Sequence, residues 1–214
     1  METEQIFVIV VLIMSIVIHE MAHGYAANWL GDPTARLQGR LSANPLVHID
    51  PLGSVIIPLL LLLSPGNILF GWAKPVPYNP YNLRNQKWGE AIVAAAGPAV
   101  NILIAVIFAL LIRSTPFIGL PGAFVELSVY IVYMNLLLAF FNMIPVPPLD
   151  GSKILMAVLP FGAQQKYREL TMWVERYGLF VTFAFIFLFI NVLWVPFAAL
   201  VGGAFSLLTG LHFF

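Results

Sequence analysis

The sequence contains 214 residues, of which 60% are hydrophobic and only 9% are charged. Because a soluble domain carries roughly 25% charged residues, this composition predicts an integral membrane protein whose partner is the lipid bilayer. Ten basic and ten acidic residues give no net charge and form no basic patch for nucleic acid, and the absence of cysteine excludes disulfides, thiol catalysis and cysteine-ligated zinc.

Hydrophobic segments of the length needed to cross a bilayer, about 20 residues, recur along the chain. They cover residues 5–30, 91–112, 123–144 and 177–195, and residues 196–214 are a weaker candidate for a fifth span. The acidic N-terminus lacks the basic region of a cleaved signal peptide, so we expect the first span to be retained.

We therefore predict an all-α, polytopic membrane helix bundle of four to six spans. No internal repeat or soluble domain is evident, and the polar connections are too short to fold independently. The prediction is a single membrane domain of residues 1–214, with a core at about 5–151 and additional C-terminal spans at about 177–214.

A shorter apolar segment, at about residues 53–70, is predicted to enter the membrane and return on the same side. Its densest part is interrupted by Pro58, and apolar runs of this length are more often re-entrant or interfacial than spanning. Lys and Arg are enriched in cytoplasmic loops, and a re-entrant segment keeps the basic residues before and after it on one side. This arrangement predicts an N-terminus outside the cell and a first helix that runs inward.

The first span contains the pattern His19-Glu20-Met21-Ala22-His23. On a helix, residues i and i+4 lie on the same face, so His19 and His23 can offer two imidazole nitrogens to one metal ion, with Glu20 beside it. Ionisable side chains are costly within the bilayer, and a functional role is the default hypothesis for them. The pattern predicts a metal site; histidines that only hydrogen-bond to neighbouring helices are the structural alternative.

Two histidines leave such a site incomplete, because a catalytic zinc takes three protein ligands and keeps one position for water. The remaining candidates are His48, Asp32, Asp50 and Asp150. Asp150 follows a proline-rich run where the third span breaks, and irregular backbone at membrane depth is tolerated where it lines a water-filled cavity. The predicted topology brings Asp150 to the same side as the histidines, although Asp150-Gly151 alone is an ordinary turn dipeptide.

Three motifs, taken in order, resemble those of the site-2 protease family, zinc metalloproteases that cut within or near the membrane-spanning segments of other proteins. They are HEMAH at 19–23, AGPAVN at 96–101 and NMIPVPPLDG at 142–151. The segment GWAKPVP at 71–77 is also similar to a loop of bacterial and archaeal members. The resemblance implies a zinc endopeptidase of regulated intramembrane proteolysis in the cell membrane. Its substrates would be transmembrane proteins, and its active site would open toward the cytoplasm.

The resemblance also implies roles for individual residues. His19, His23 and Asp150 would bind one Zn2+ per chain, and Glu20 would be the general base. Asn142 would position the substrate or stabilise the oxyanion; alternatively, it satisfies backbone groups where the helix breaks.

Other positions in these motifs are expected to be structural. We expect Gly97 and Asn101 to serve close helix packing through a small residue, and His48 to be a loop histidine at the membrane surface. Larger members carry soluble peptide-binding or nucleotide-binding domains, and the ten-residue loop after residue 112 and the end at residue 214 predict a minimal form without them.

Two other interpretations compete with this one. In the first, a different class of zinc protease uses Glu169 or Glu175 as its third ligand. In the second, the chain is a membrane metal transporter or a non-catalytic metal-binding protein, for which Glu20 would not be needed as a base. The sequence assigns no oligomeric state.

Overall fold

The computed structural model describes residues 2–57 and 72–211. Its α-helices are α1 (Glu2–Trp29), α2 (Thr34–Leu37), α3 (Gly89–Ile118), α4 (Gly122–Asn142), α5 (Asp150–Val158), α6 (Phe161–Arg176), α7 (Gly178–Leu188) and α8 (Trp194–Thr209). Shorter 3-10 helices cover Pro45–His48 and Pro80–Asn82, and π-helical turns cover Pro51–Ile56 and Phe189–Leu193. No strand occurs within these two ranges, which confirms the all-α prediction.

Four helical runs in the described ranges are long and apolar enough to cross a membrane. They are Glu4–Trp29, Gly89–Ile118, Gly122–Asn142 and Phe180–Thr209. The polytopic bundle is thereby confirmed, and the described ranges hold four of the predicted four to six spans. The segments predicted as a fourth and a fifth span form one continuous run, because a π-helical turn joins α7 to α8 and Pro196 lies in the first turn of α8, where proline is tolerated.

Helix α3 is central, since it packs against both α1 and α4. Its buried face consists largely of small residues, among them Ala94, Gly97, Ala105 and Ala109. Lipid tails provide no hydrophobic drive for helix association, so small residues that let backbones approach closely favour tight packing. Helix α3 therefore brings α1 and α4 within reach of polar contacts across the bundle.

Helix α8 covers the other side of the α3–α4 pair. Its Val201 and Phe205 are fully buried against Ala105 and Ala109 of α3 and against Val132 of α4. At the far end, the Arg113 guanidinium donates hydrogen bonds to the carbonyls of Leu207 and Leu208, at 2.7 and 2.6 Å. Arg113 thus supplies donors to the carbonyl groups in the last turn of α8, which a helix leaves unpaired.

The two polar loops between α1 and α3 lie together at the end of the bundle where α1 stops. The N–H of Trp72 donates to Gly53 O at 3.1 Å, and the N–H of Arg84 donates to Leu30 O at 2.8 Å. Residues 58–71, which hold most of the predicted re-entrant segment, lie outside the described ranges. The contacts on either side place both basic stretches at one end of the bundle. The re-entrant path itself stays a prediction.

Asp32 anchors this end of the structure, just after α1. Its carboxylate is fully buried and accepts hydrogen bonds from the Thr34 hydroxyl (2.6 Å) and backbone N–H (3.3 Å), from the Asn79 backbone N–H (2.7 Å) and from the Asn82 amide (2.9 Å). Burial alone would raise the pKa of Asp32, but these donors favour the ionised form and hold its pKa below the usual value. Asp32 therefore fixes the loop that continues over the functional site.

Replacing Asp32 with Asn is expected to lower stability by about 1–3 kcal/mol at pH 7, because the new amide group faces a buried N–H donor. A carboxyl with a lowered folded-state pKa stabilises the fold above its unfolded pKa of about 3.9 and loses that contribution as the pH falls through the folded-state value. The Tm of Asp32→Asn in detergent should therefore lie below that of wild type at pH 7, and the gap should narrow in acid. Glu169→Gln, on an exposed helix face, is the control; an unchanged Tm in Asp32→Asn would contradict the anchoring role.

Candidate metal centre

Three side chains meet where α1, α3 and the start of α5 converge. The Nε2 atoms of His19 and His23 lie 3.1 and 3.2 Å from Oδ2 of Asp150, and the three groups could hold one metal ion. His19 and His23 project from consecutive turns of α1, as the i, i+4 spacing predicts. All three are at most 9% exposed.

Each histidine is oriented by a hydrogen bond on the opposite side of its ring. Nδ1 of His19 lies 2.6 Å from Oδ1 of Asn101, and Nδ1 of His23 lies 2.7 Å from the backbone oxygen of Val93. Both partners are acceptors, so Nδ1 is the protonated nitrogen in each ring and Nε2 carries the lone pair. Such outer partners fix the tautomer of metal-binding histidines.

The donor set fits a divalent cation such as zinc. Two Nε2 lone pairs and a carboxylate oxygen converge, and none of these three acceptor atoms carries a hydrogen that it could donate to the others. A metal ion can accept a lone pair from each of them at once. Histidine nitrogen and carboxylate oxygen are both ligands that zinc takes in proteins. Zinc bonds of about 2.0–2.2 Å at tetrahedral angles separate ligand atoms by about 3.3–3.6 Å, close to the spacing observed.

A polar network extends from His19 into the centre of the bundle. The Asn101 amide donates to Oδ1 of Asn135 at 2.7 Å and to the Ser15 carbonyl at 3.4 Å, and the Asn135 amide donates to the Ser15 hydroxyl at 3.0 Å. Asn101 therefore orients the ring of His19 rather than serving packing alone, contrary to our expectation. Asn135 and Ser15 were missed by the sequence analysis, although each is an isolated polar residue in a predicted span.

Gly97 provides the room for both rings. A Cβ atom at this position would lie 2.6 Å from Cε1 and Nε2 of His19 and 2.6 Å from Cε1 of His23. The close packing predicted for Gly97 therefore occurs, and its contacts are the two candidate metal ligands themselves.

Gly151 allows the chain to turn back after α4. A Cβ atom here would lie 2.2 Å from Met143 O and 2.7 Å from Ile144 O, so only glycine permits this approach. The loop places Asp150 at the first position of α5, beside the histidines. Asp150-Gly151 is more than an ordinary turn dipeptide because it presents a carboxylate to α1.

Glu20 and Asn142 line a cavity of about 130 Å³ together with the three converging side chains. Oε2 of Glu20 accepts the N–H of Val76 at 2.8 Å, which holds the carboxylate at the cavity wall. Nδ2 of Asn142 donates to the Leu138 carbonyl of its own helix at 2.9 Å. Asn142 therefore satisfies a backbone group of its own helix, and it also lines the cavity. Its role toward a substrate stays a prediction.

The other candidate ligands lie elsewhere. Asp32 is the loop anchor described above, and Asp50 accepts the N–H of Gly53 at 2.7 Å. His48 is a loop histidine, as predicted; it is 2% exposed and pairs through Nε2 with the Ser42 carbonyl at 2.9 Å. Glu169 lies on the exposed face of α6, and the side chain of Glu175 is outside the described part of the chain.

Gly97→Ala is expected to disturb both rings at once and to lower metal affinity by about 10–100-fold, the usual effect of disturbing groups that orient metal ligands. The measurement is metal content per chain by mass spectrometry after dialysis against a graded chelator series. Gly202→Ala, in α8 with open space around it, is the matched control and should keep its metal. Full metal retention in Gly97→Ala would show that the rings have more freedom than the packing indicates.

Known proteins similar to this chain include relatives that are named as zinc metalloproteases. A model of peptidase family M50 matches residues 120–189. The chain is 36% identical over 194 residues to the protein named "Putative zinc metalloprotease YwhC" of Bacillus subtilis (strain 168), a match that covers 87% of this chain and 81% of that protein. No solved structure matches.

More distant relatives carry similar names. "Putative zinc metalloprotease Rip2" of Mycolicibacterium smegmatis is 28% identical over 156 residues, covering 68% of this chain and 55% of the relative. "Zinc metalloprotease MJ0392" of Methanocaldococcus jannaschii is 30% identical over 151 residues, covering 70% of this chain and 33% of the relative. The extent of the match to YwhC is decisive: this chain belongs to peptidase family M50, the site-2 protease family of zinc-dependent intramembrane metalloproteases.

Proposed function

We propose that the chain hydrolyses peptide bonds in or near the transmembrane segments of other membrane proteins, with His19, His23 and Asp150 as the zinc ligands and Glu20 as the general base. One observation carries the proposal: two oriented Nε2 atoms and a carboxylate oxygen converge beside Glu20 in one cavity of the bundle. A metal-transit site would have no need of a carboxylate held next to the ligands.

Bound zinc supplies Lewis-acid polarisation of the scissile carbonyl and lowers the pKa of water to about 7. Glu20 accepts a proton as a water oxygen attacks the carbonyl carbon, and it returns that proton to the leaving nitrogen as the C–N bond breaks. Since the Val76 N–H occupies Oε2, Oε1 is the oxygen available for this transfer. The same backbone hydrogen bond keeps Glu20 in position through both steps.

Asn142 has a second amide hydrogen, because its contact to Leu138 uses one of two. That hydrogen is available to the carbonyl oxygen of a peptide in the cavity, where developing negative charge strengthens the contact.

The carbonyl groups of a substrate helix are engaged in the hydrogen bonds of that helix, so the scissile segment must unwind locally before it enters the site. This requirement favours substrates whose spans contain weak helix formers.

We further propose that the site opens toward the cytoplasm and that the N-terminus lies outside. Nine of the ten basic residues fall on the loops and short helices at the end of the bundle that holds the site, and Arg113 belongs to the opposite end. Positively charged loops stay in the cytoplasm. With four spans, both ends of the described chain lie outside, and the spans and the site form one membrane domain.

Measurements of zinc content and of substrate cleavage distinguish the zinc ligands from the general base. Wild type should hold one zinc per chain, His23→Ala and Asp150→Ala should lose it, and Glu20→Gln should keep it while cleavage falls by more than about 100-fold, since general base catalysis contributes 10²–10⁴-fold. The assay uses detergent-purified protein and a doubly tagged, single-span model protein containing a glycine pair. Cleavage by Glu20→Gln at the wild-type rate would overturn the protease assignment of Glu20, and zinc retention in Asp150→Ala would require another ligand.

The orientation can be tested directly because the chain has no cysteine. Single cysteines at Gln165, on α6, and at Gly122, the first residue of α4, should report opposite sides. In intact cells a membrane-impermeant maleimide should label Gly122→Cys and spare Gln165→Cys until the membrane is permeabilised. The reverse pattern would mean that the site opens to the outside.

A further inference from the structure

The catalytic cavity contains a cation for which the mechanism above has no use. Lys153 lines the cavity and lies one helical turn after Asp150 on α5, a spacing that places two side chains on one face. It forms no ion pair with any residue of the described ranges. Its Nζ instead lies 5.4 Å from the centre of the Tyr78 ring.

Tyr78 also lines the cavity, and apolar side chains fix the position of its ring. Its ring packs against the apolar cluster that contains Ala27, Leu30 and Val93, and Val93 supplies the carbonyl that orients His23. Burial raises the pKa of Tyr78 while the Lys153 charge opposes that rise. The phenol is therefore protonated at neutral pH and remains a hydrogen-bond donor.

The charges around the cavity leave an excess that suits an anion. Among the charged side chains that line the cavity, the carboxylates of Glu20 and Asp150 would offset the two charges of a bound divalent ion, which leaves the Lys153 ammonium unbalanced. The Glu90 carboxylate also acts on Tyr78, but it does not line the cavity. Peptide hydrolysis places negative charge on the carbonyl oxygen as water adds, and that charge disappears when the C–N bond breaks. A donor aimed at this oxygen is more effective in the transition state than in the bound substrate.

We propose that Tyr78 is a further catalytic residue, whose hydroxyl donates a hydrogen bond to the scissile carbonyl oxygen, and that Lys153 is a positioning residue that holds and polarises this hydroxyl. The inference rests on the proposed function. No covalent bond to the protein forms and no proton leaves Tyr78, so the contact strengthens as the oxygen becomes negative and weakens as the carbonyl is restored.

Tyr78→Phe removes only the hydroxyl and keeps the ring that packs on the apolar cluster. It should lower kcat by about 10–100-fold with KM within about twofold, somewhat less than the 10²–10³ lost with a principal oxyanion-hole donor. Lys153→Met should lower kcat in the same direction, and Lys153→Arg should recover part of it. The matched controls are Tyr81→Phe, 88% exposed in the same loop, and Lys166→Met on the exposed face of α6; both should behave as wild type.

A binding measurement tests the inference independently of turnover. The probes are a fluorescent phosphonamidate peptide, which mimics the tetrahedral oxyanion, and the matching amide peptide, each titrated into zinc-loaded wild type and Tyr78→Phe. Phosphonamidate binding should weaken by at least about tenfold while amide binding changes by less than about twofold, because the contact favours the charged oxygen.

The outcomes are distinct. Equal phosphonamidate affinity in wild type and Tyr78→Phe overturns the inference, and so does an effect on KM alone. Failure of the proposed function has a different signature, since wild type and Glu20→Gln would then leave the model substrate equally intact. Zinc content equal to that of wild type in each variant shows that a change comes from the oxyanion contact and not from loss of metal.

Discussion

Within hydrocarbon, a polar group without a hydrogen-bond partner costs roughly 2–7 kcal/mol, and this cost organises the three central helices. His19 needs a partner for Nδ1 and finds Oδ1 of Asn101 at 2.6 Å; the Asn101 amide then needs an acceptor and finds Asn135. Ser15 closes the chain of contacts back to α1. Pairing the polar atoms of His19 therefore ties α1, α3 and α4 together. The same contacts leave Nε2 of His19 with a free lone pair, which is the tautomer that a metal ligand needs.

Packing and chemistry depend on the same helix. The small residues of α3 set the distance to α1, and Gly97 touches both histidine rings. A change in that distance would move the two Nε2 atoms relative to Asp150, which comes from a separate element. In an enzyme of this kind, stability of the α1–α3 contact and affinity for the metal cannot vary independently, so ordinary core substitutions along α3 should act on both.

The sequence predicted well those features that arise from local spacing. The i, i+4 histidines, the apolar spans and the break before Asp150 follow from periodicity and proline, and the family resemblance linked them into one site. It was weaker where function depends on contacts across the bundle. Asn101 was predicted to be a packing residue, and Asn135 and Ser15 were not identified at all, because hydrogen bonds between helices leave no periodic pattern in the sequence. The same is true of Val76, whose role is played by its backbone, and of Tyr78, which precedes α3 in a loop without regular structure.

The loop that contains Val76 and Tyr78 shows how backbone without regular structure can form part of a hydrolytic site in a membrane protein. The buried Arg40 guanidinium donates to the carbonyls of Val47, Lys74 and Pro75, so one side chain connects the two polar loops. Backbone held in this way can present the Val76 N–H to Glu20 without a regular helix to support it. Irregular backbone is tolerated at membrane depth only where protein or water satisfies it, and here the satisfied loop forms one wall of the cavity. The cavity therefore has loop backbone on one side and residues of α1 and α3 on the other, an arrangement that suits a site which must admit water within an apolar bundle.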